Sequence, residues 1–107
     1  MSNFNNTLIP IWKPKNTYSN DIVKIIRRKY NVKAGHAGTL DPFAEGVLIV
    51  CTGSKTKDIE LNQALDKKYY AEIALGRETN TLDLLGETIK KKDIPELTKF
   101  QIEKALK

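Results

Sequence analysis

The chain has 107 residues, 40% hydrophobic and 29% charged, a balance that fits one small globular domain and excludes a wholly disordered segment. Its 18 Lys and Arg outnumber 13 Asp and Glu, and the net charge of +5 favours a polyanionic partner bound in a salt-dependent way, without identifying one. No apolar run nears the roughly 20 residues of a membrane helix. The opening MSNFNNTLIP lacks the basic-then-apolar pattern of a secretory signal. The single cysteine, Cys51, excludes an internal disulfide and a Cys-rich zinc site, and together these features point to the cytoplasm.

In chain order, Leu8–Trp12 is apolar and meets Lys13-Pro14, so it reads as a short strand entering a turn. Helical spacing of Ile22, Val23, Ile25, Ile26 and Tyr30 predicts a helix from Ser19 to Tyr30, with Ser19 as N-cap and Asp21 in the first turn. Its opposite face carries Lys24, Arg27 and Arg28, either solvated or set against a nucleic-acid backbone. Gly35–Gly46, GHAGTLDPFAEG, has three glycines and a proline in twelve residues and reads as a constrained loop. Val47–Cys51 then forms a short buried strand, and Ser54 to about Leu65 a helix with Ile59 and Leu61 turned inward. The alternation of Lys68–Leu75 predicts a strand with Tyr69, Ala71, Ile73 and Leu75 on its inner face. A turn-rich stretch, 79–86, precedes a short strand near Glu87–Lys90. Thr98-x-x-Gln101 is a capping box that starts a helix carrying Phe100, Ile102 and Leu106.

Chemistry concentrates in the glycine loop. Asp41 is followed by Pro42, which biases it to extended backbone and brings no N–H beside it. Such a carboxylate is either a nucleophile for an anomeric carbon or an unsaturated base, or a cap for its own turn. His36, the only histidine, has no Cys or paired carboxylates with which to form a metal site. It is open to acid–base work, to hydrogen bonding with a nucleobase, or to a structural bond within the loop. Tyr69 is either a core side chain or a platform for an extruded base. Cys51 reads as a small core hydrophobe, and Lys90–Lys92 as a solvated run or a phosphate contact.

The run GHAGTLDPFAEGVLIVCTGSKTK resembles the central motif of the bacterial tRNA pseudouridine-55 synthase family. Three further stretches agree in order: Lys13-Pro14 with Ser19, Asp66-Lys67-Lys68-Tyr69, and Leu75-Gly76 with Thr79, Thr81, Asp83 and Gly86. The resemblance covers about residues 8 to 90. It implies an α+β fold, a mixed but mainly antiparallel sheet with flanking helices, forming part of a pseudouridine synthase catalytic domain. It also implies a cofactor-free isomerisation of uridine in the T-arm stem-loop of tRNA, with no metal, no membrane and no obligate protein partner. By the same resemblance Asp41 is the catalytic aspartate, His36 holds the flipped uridine, Tyr69 stacks on the base, Asp83 supports the site by hydrogen bonding, and Lys13 with Pro14 shapes the cleft.

The sequence departs from the family pattern at Asn16 and Tyr18, in place of Gly and Thr. It also departs at Ala37 and Glu45, often Thr, and at Asn80, often Asp. Asn tolerates left-handed backbone best after Gly, so the turn at Asn16 is expected to survive. The family's later RNA-gripping insertion, its arginine motif and its C-terminal RNA-binding domain have no counterpart here. Residues 1–107 are therefore expected to be the N-terminal portion of the catalytic domain, inactive alone and prone to associate through open strand edges. The alternatives are a non-catalytic RNA-binding module on the same scaffold and a small interaction domain whose glycine loop is only a turn.

Overall fold

The structure is a computed structural model that describes residues 4–107; Met1–Asn3, the start of the stretch read for a signal, lie outside them. The described residues divide into two compact units, 4–67 and 68–107, each with its own sheet. The elements confirm an α+β fold, and every described ladder is antiparallel.

The first unit is built on a three-stranded sheet of order β1-β3-β2, from β1 (Leu8–Lys13), β2 (Ala34–His36) and β3 (Gly46–Thr52). Pro10 has no N–H for a ladder, and it is accommodated because β1 is an edge of this sheet. In the ladder Ile9 opposes Val50, Ile11 opposes Leu48 and His36 opposes Val50. Opposed residues share a face, so these side chains line one side of the sheet. Helix α1 (Ser19–Tyr30) closes that side: Val23, Ala34, Leu48 and Val50 form the buried cluster, and Ile11, Ile22 and Ile26 pack against it. Burying each of the larger ones contributes about 1.5–3 kcal/mol. Helix α1 ends at Asn31 in left-handed backbone, φ 49°, with Arg27, Arg28 and Lys29 in its last turn complementing the helix dipole.

The other side of the sheet is covered only at one end. A 3-10 segment, Gly53–Asp58, leads into the short helix α2 (Ile59–Gln63). A Cβ on Gly35 would come within 2.8 Å of Ile59 Cδ1, so this strand position admits no side chain. Cys51 is fully buried here, as the apolar strand predicted, and burial with the Asp58 carboxylate nearby raises its thiol pKa. Toward the opposite end Trp12 and Val47, cross-strand neighbours, are both exposed.

The second unit contains a two-stranded ladder, β4 (Arg77–Thr79) with β5 (Thr88–Lys91), and helix α3 (Lys99–Ala105). The capping box forms as read: Thr98 accepts from the Gln101 amide, and Gln101 Oε1 accepts from Thr98 N–H at 2.9 Å.

Four expectations need correction. Gly35 and His36 are not loop but strand, because β3 offers them a ladder partner. Ser54–Leu65 is not one helix: only five residues are α-helical, and Leu61 is 73% exposed while Ile59 is half-buried. Residues 68–75 form no strand, since no described segment pairs with them, and Tyr69 is 70% exposed instead of facing inward. Ser19 is the first residue of α1, and Tyr18 holds the cap position without a side-chain bond.

Candidate active-site loop

The loop between β2 and β3 carries Asp41, and the segment between β1 and α1 holds it in place. Lys13 ends β1 with its side chain fully buried. Its ammonium has three donors, and they meet three carbonyls: Thr17 O at 2.7 Å, Pro14 O at 2.9 Å and Pro42 O at 3.3 Å. Burial of a charge this complete requires such saturation, because an unpaired ammonium away from water is far costlier. The Thr17 amide donates to the same Pro42 carbonyl at 3.3 Å. The turn that brings Thr17 there runs through Asn16 at φ 60°, so the residue standing where the family has Gly does adopt the left-handed conformation.

One step earlier in the loop, the Ser19 hydroxyl donates to Leu40 O at 2.9 Å and accepts from Leu40 N–H at 3.0 Å. One step later, the Ala44 amide donates to Asp41 O at 3.0 Å, closing a tight turn over Pro42 and Phe43. The backbone is thus bonded before, at and after Asp41. Its side chain is exposed, and its carboxylate makes no hydrogen bond or ion pair among the described residues. The turn is held by others, so the reading of Asp41 as its side-chain cap loses its support. Glu45, the added negative charge, lies 3.9 Å from Lys15 in an exposed pair worth little in stability.

His36 is tied in from the opposite edge of β3. Arg27 reaches from α1 with both Nε and Nη2 to Ala34 O, at 3.1 and 2.8 Å, fixing the strand that carries His36. The Nδ1 of His36 is buried and has no hydrogen-bond partner among the described residues. Unmet buried polar atoms of this kind are rare in native structures. Lys13 opposes Gly46 and His36 opposes Val50, which spaces them about 13 Å apart along β3 at roughly 3.3 Å per residue. At Gly38, φ 100°, a Cβ would stand 3.5 Å from Lys67 Cε, while Lys67 Nζ donates to Gln63 O at 2.8 Å. The Asp-Lys-x-Tyr stretch therefore begins by laying its first lysine over the glycine loop.

Tyr69 and Asp83 belong to the second unit. Asp83 organises its own turn: Oδ1 accepts from Thr81 Oγ1 at 2.6 Å and from the Leu85 amide at 2.9 Å, and Thr79 Oγ1 donates to its carbonyl at 2.6 Å. Asn80 Oδ1 accepts from the Glu87 amide at 2.9 Å, so the amide that replaces the usual carboxylate still serves as acceptor. A Cβ on Gly86 would collide with Thr81 and Asn80, which is why the stretch ends in glycine. Among the described residues no three His, Cys, Asp or Glu side chains gather as metal ligands. None of the described helices is long and apolar enough to cross a membrane.

Residues 24–107 match the family described as TruB family pseudouridylate synthase (N terminal domain). Over 84 residues the chain is 48% identical to tRNA pseudouridine synthase B of Thermosipho melanesiensis, covering 78% of this chain and 28% of that protein. It is 42% identical over 102 residues to the protein of the same name from Listeria monocytogenes. With the Clostridioides difficile protein of that name the identity is 44% over 101 residues. These last two alignments each cover 94% of this chain and 34% of the relative. The chain therefore spans about a third of the length of these curated relatives. With the motifs, the antiparallel α+β architecture and the family match in agreement, the chain belongs to the TruB family of pseudouridylate synthases, within the region of its N-terminal domain.

Proposed function

We propose that residues 1–107 are the N-terminal portion of a catalytic domain that converts uridine 55 in the T-loop of tRNA to pseudouridine, with Asp41 as the reacting carboxylate. The observation that carries this reading is an exposed carboxylate, free of internal partners, on backbone bonded on both sides by Ser19, Ala44, Lys13 and Thr17. A nucleophile needs that combination: an accessible charge at a fixed position. The names of the relatives supply the substrate class.

The reaction breaks the N1–C1′ glycosidic bond, rotates the base, forms a C5–C1′ bond and releases the C5 proton, while N1 takes up a proton from water. Atoms and electrons balance without a redox partner, so no cofactor enters. The Asp41 carboxylate forms the covalent intermediate, with the sugar or with the base ring, and is regenerated when the new bond closes. The uridine must leave its stack first. His36 is assigned to holding the extruded base, exposed Tyr69 to stacking on it, and Lys13 to shaping the cleft by carrying the Pro42 carbonyl. Asp83 supports the site by ordering the 79–86 turn. The excess of Lys and Arg is assigned to the phosphates of the T-arm, and the setting to the cytoplasm.

The test is tritium release from tRNA transcribed with 5-tritiated uridine, by residues 1–107 and by the chain extended with the downstream part of the catalytic domain, in which turnover is expected. Asp41→Asn is expected to abolish release while tRNA affinity stays within about twofold. Release that survives the substitution, or affinity lost in step with turnover, refutes the assignment of Asp41. Binding with no turnover by residues 1–107 alone is the expected result of an incomplete site, and turnover that stays absent after the downstream part of the catalytic domain is added identifies a non-catalytic RNA-binding module instead.

A further inference from the structure

We infer that Ser19 is a positioning residue for Asp41, an assignment that rests on the reading of Asp41 as the reacting carboxylate. As the first residue of α1, Ser19 contributes nothing to capping that helix; its hydroxyl points elsewhere. It is 3% exposed, and it satisfies both backbone polar groups of a single loop residue, Leu40 N–H and Leu40 O. The Leu40 carbonyl belongs to the peptide plane that sets φ of Asp41, and the Asp41 carbonyl, bonded to Ala44 N–H, belongs to the plane that sets ψ. With both planes held, the Cα–Cβ vector of Asp41 is fixed although its carboxylate makes no hydrogen bond or ion pair among the described residues.

Of the bonds on those two planes among the described residues, only the Ser19 bond comes from outside the loop. The Ala44 bond is local to the turn, and the Lys13 and Thr17 bonds act one residue later, on Pro42 O. Ser19 therefore ties the orientation of Asp41 to helix α1, whose neighbouring turn buries Val23 in the core. Loss of the hydroxyl frees the plane preceding Asp41 while leaving the turn and the lysine clamp in place. A displacement of about 1 Å at a reacting group costs about 100-fold in rate.

Two measurements decide this. In the parent protein, the Leu40 amide is expected to exchange with solvent at least about tenfold more slowly than the Thr39 amide; equal rates refute the clamp, and this readout needs no variant to fold. In tritium release by the chain extended with the downstream part of the catalytic domain, Ser19→Ala is expected to lower kcat by about 10- to 100-fold with KM within about twofold. Ser19→Thr, which keeps the hydroxyl, is expected to restore most of it. A parental kcat in Ser19→Ala, or a loss that Ser19→Thr does not recover, overturns the positioning role. Release that persists in Asp41→Asn refutes the reading of Asp41 itself, and the exchange rate of Leu40 still reports on the clamp separately.

Discussion

The two units of this chain answer differently to the same kind of sequence. In residues 4–67 apolar side chains at helical and strand spacing meet across a sheet, and Val23, Leu48 and Val50 are almost wholly removed from water. In residues 68–107 the apolar side chains are as frequent, yet Ile73, Leu84, Ile89, Phe100 and Leu106 are all exposed, and only Thr79 is buried. The second unit has what a chain builds from neighbours in sequence: a capping box, a two-stranded ladder, and a turn ordered by Asp83. The first has what requires residues far apart to meet. Periodicity records the capacity to bury a face, and burial itself depends on a partner face.

Substitutions at matched apolar positions break or sharpen this contrast. Leu48→Ala, in the first unit's core, is expected to cost about 2–5 kcal/mol, whereas Phe100→Ala on α3 stays within about 0.5 kcal/mol. Urea midpoints read at a common m-value check both, and comparable losses would show the second unit to be packed after all. Lys13→Met keeps the length of the stem but leaves the Pro14 and Thr17 carbonyls without their donor. The expected loss is about 1–3 kcal/mol, with faster amide exchange at Thr17. Unchanged stability and exchange would mean that the buried ammonium is not what holds the loop.

The smallest effect concerns pH. The Cys51 thiol has a folded pKa above its ordinary value of 9.0, so the unfolded chain loses this proton first. Its contribution to stability is complete at lower pH and falls as pH rises past about 9 toward the folded value. Cys51→Ala is expected to flatten that alkaline decline, as followed by urea midpoints between pH 7 and 10, while α3 helicity is indifferent to the change.

Most of the first unit was legible because its signals are redundant. Helix α1 has periodicity, a first-turn acid and last-turn cations in agreement, and its bounds match the expected ones. The glycine loop announced itself by composition. What stayed hidden was tertiary: that Lys13 points inward, and that Ser19 serves the loop instead of the helix. A serine at a helix start carries the same local signal in either role. The strand expected at 68–75 failed for the complementary reason, because alternation specifies a face but no ladder partner. Of the residues assigned to the site, Asp41 and its loop stood out from the sequence as a unit. The unmet Nδ1 of His36 has no sequence signature at all.

The sheet order has a consequence for how the protein is made. Its central strand, β3, pairs with β2 across a short stretch of chain, but the β1 edge brings together groups such as Thr7 and Thr52, 45 positions apart. Closing that span carries a larger entropic cost and belongs to the slower part of folding. Lys13 sits on β1 and grips Pro42, so the geometry around Asp41 cannot be complete in any species whose first strand has yet to dock. During synthesis β1 emerges before β3 and waits for it, and the loop acquires its final form only when the earlier strand is captured by the one made later.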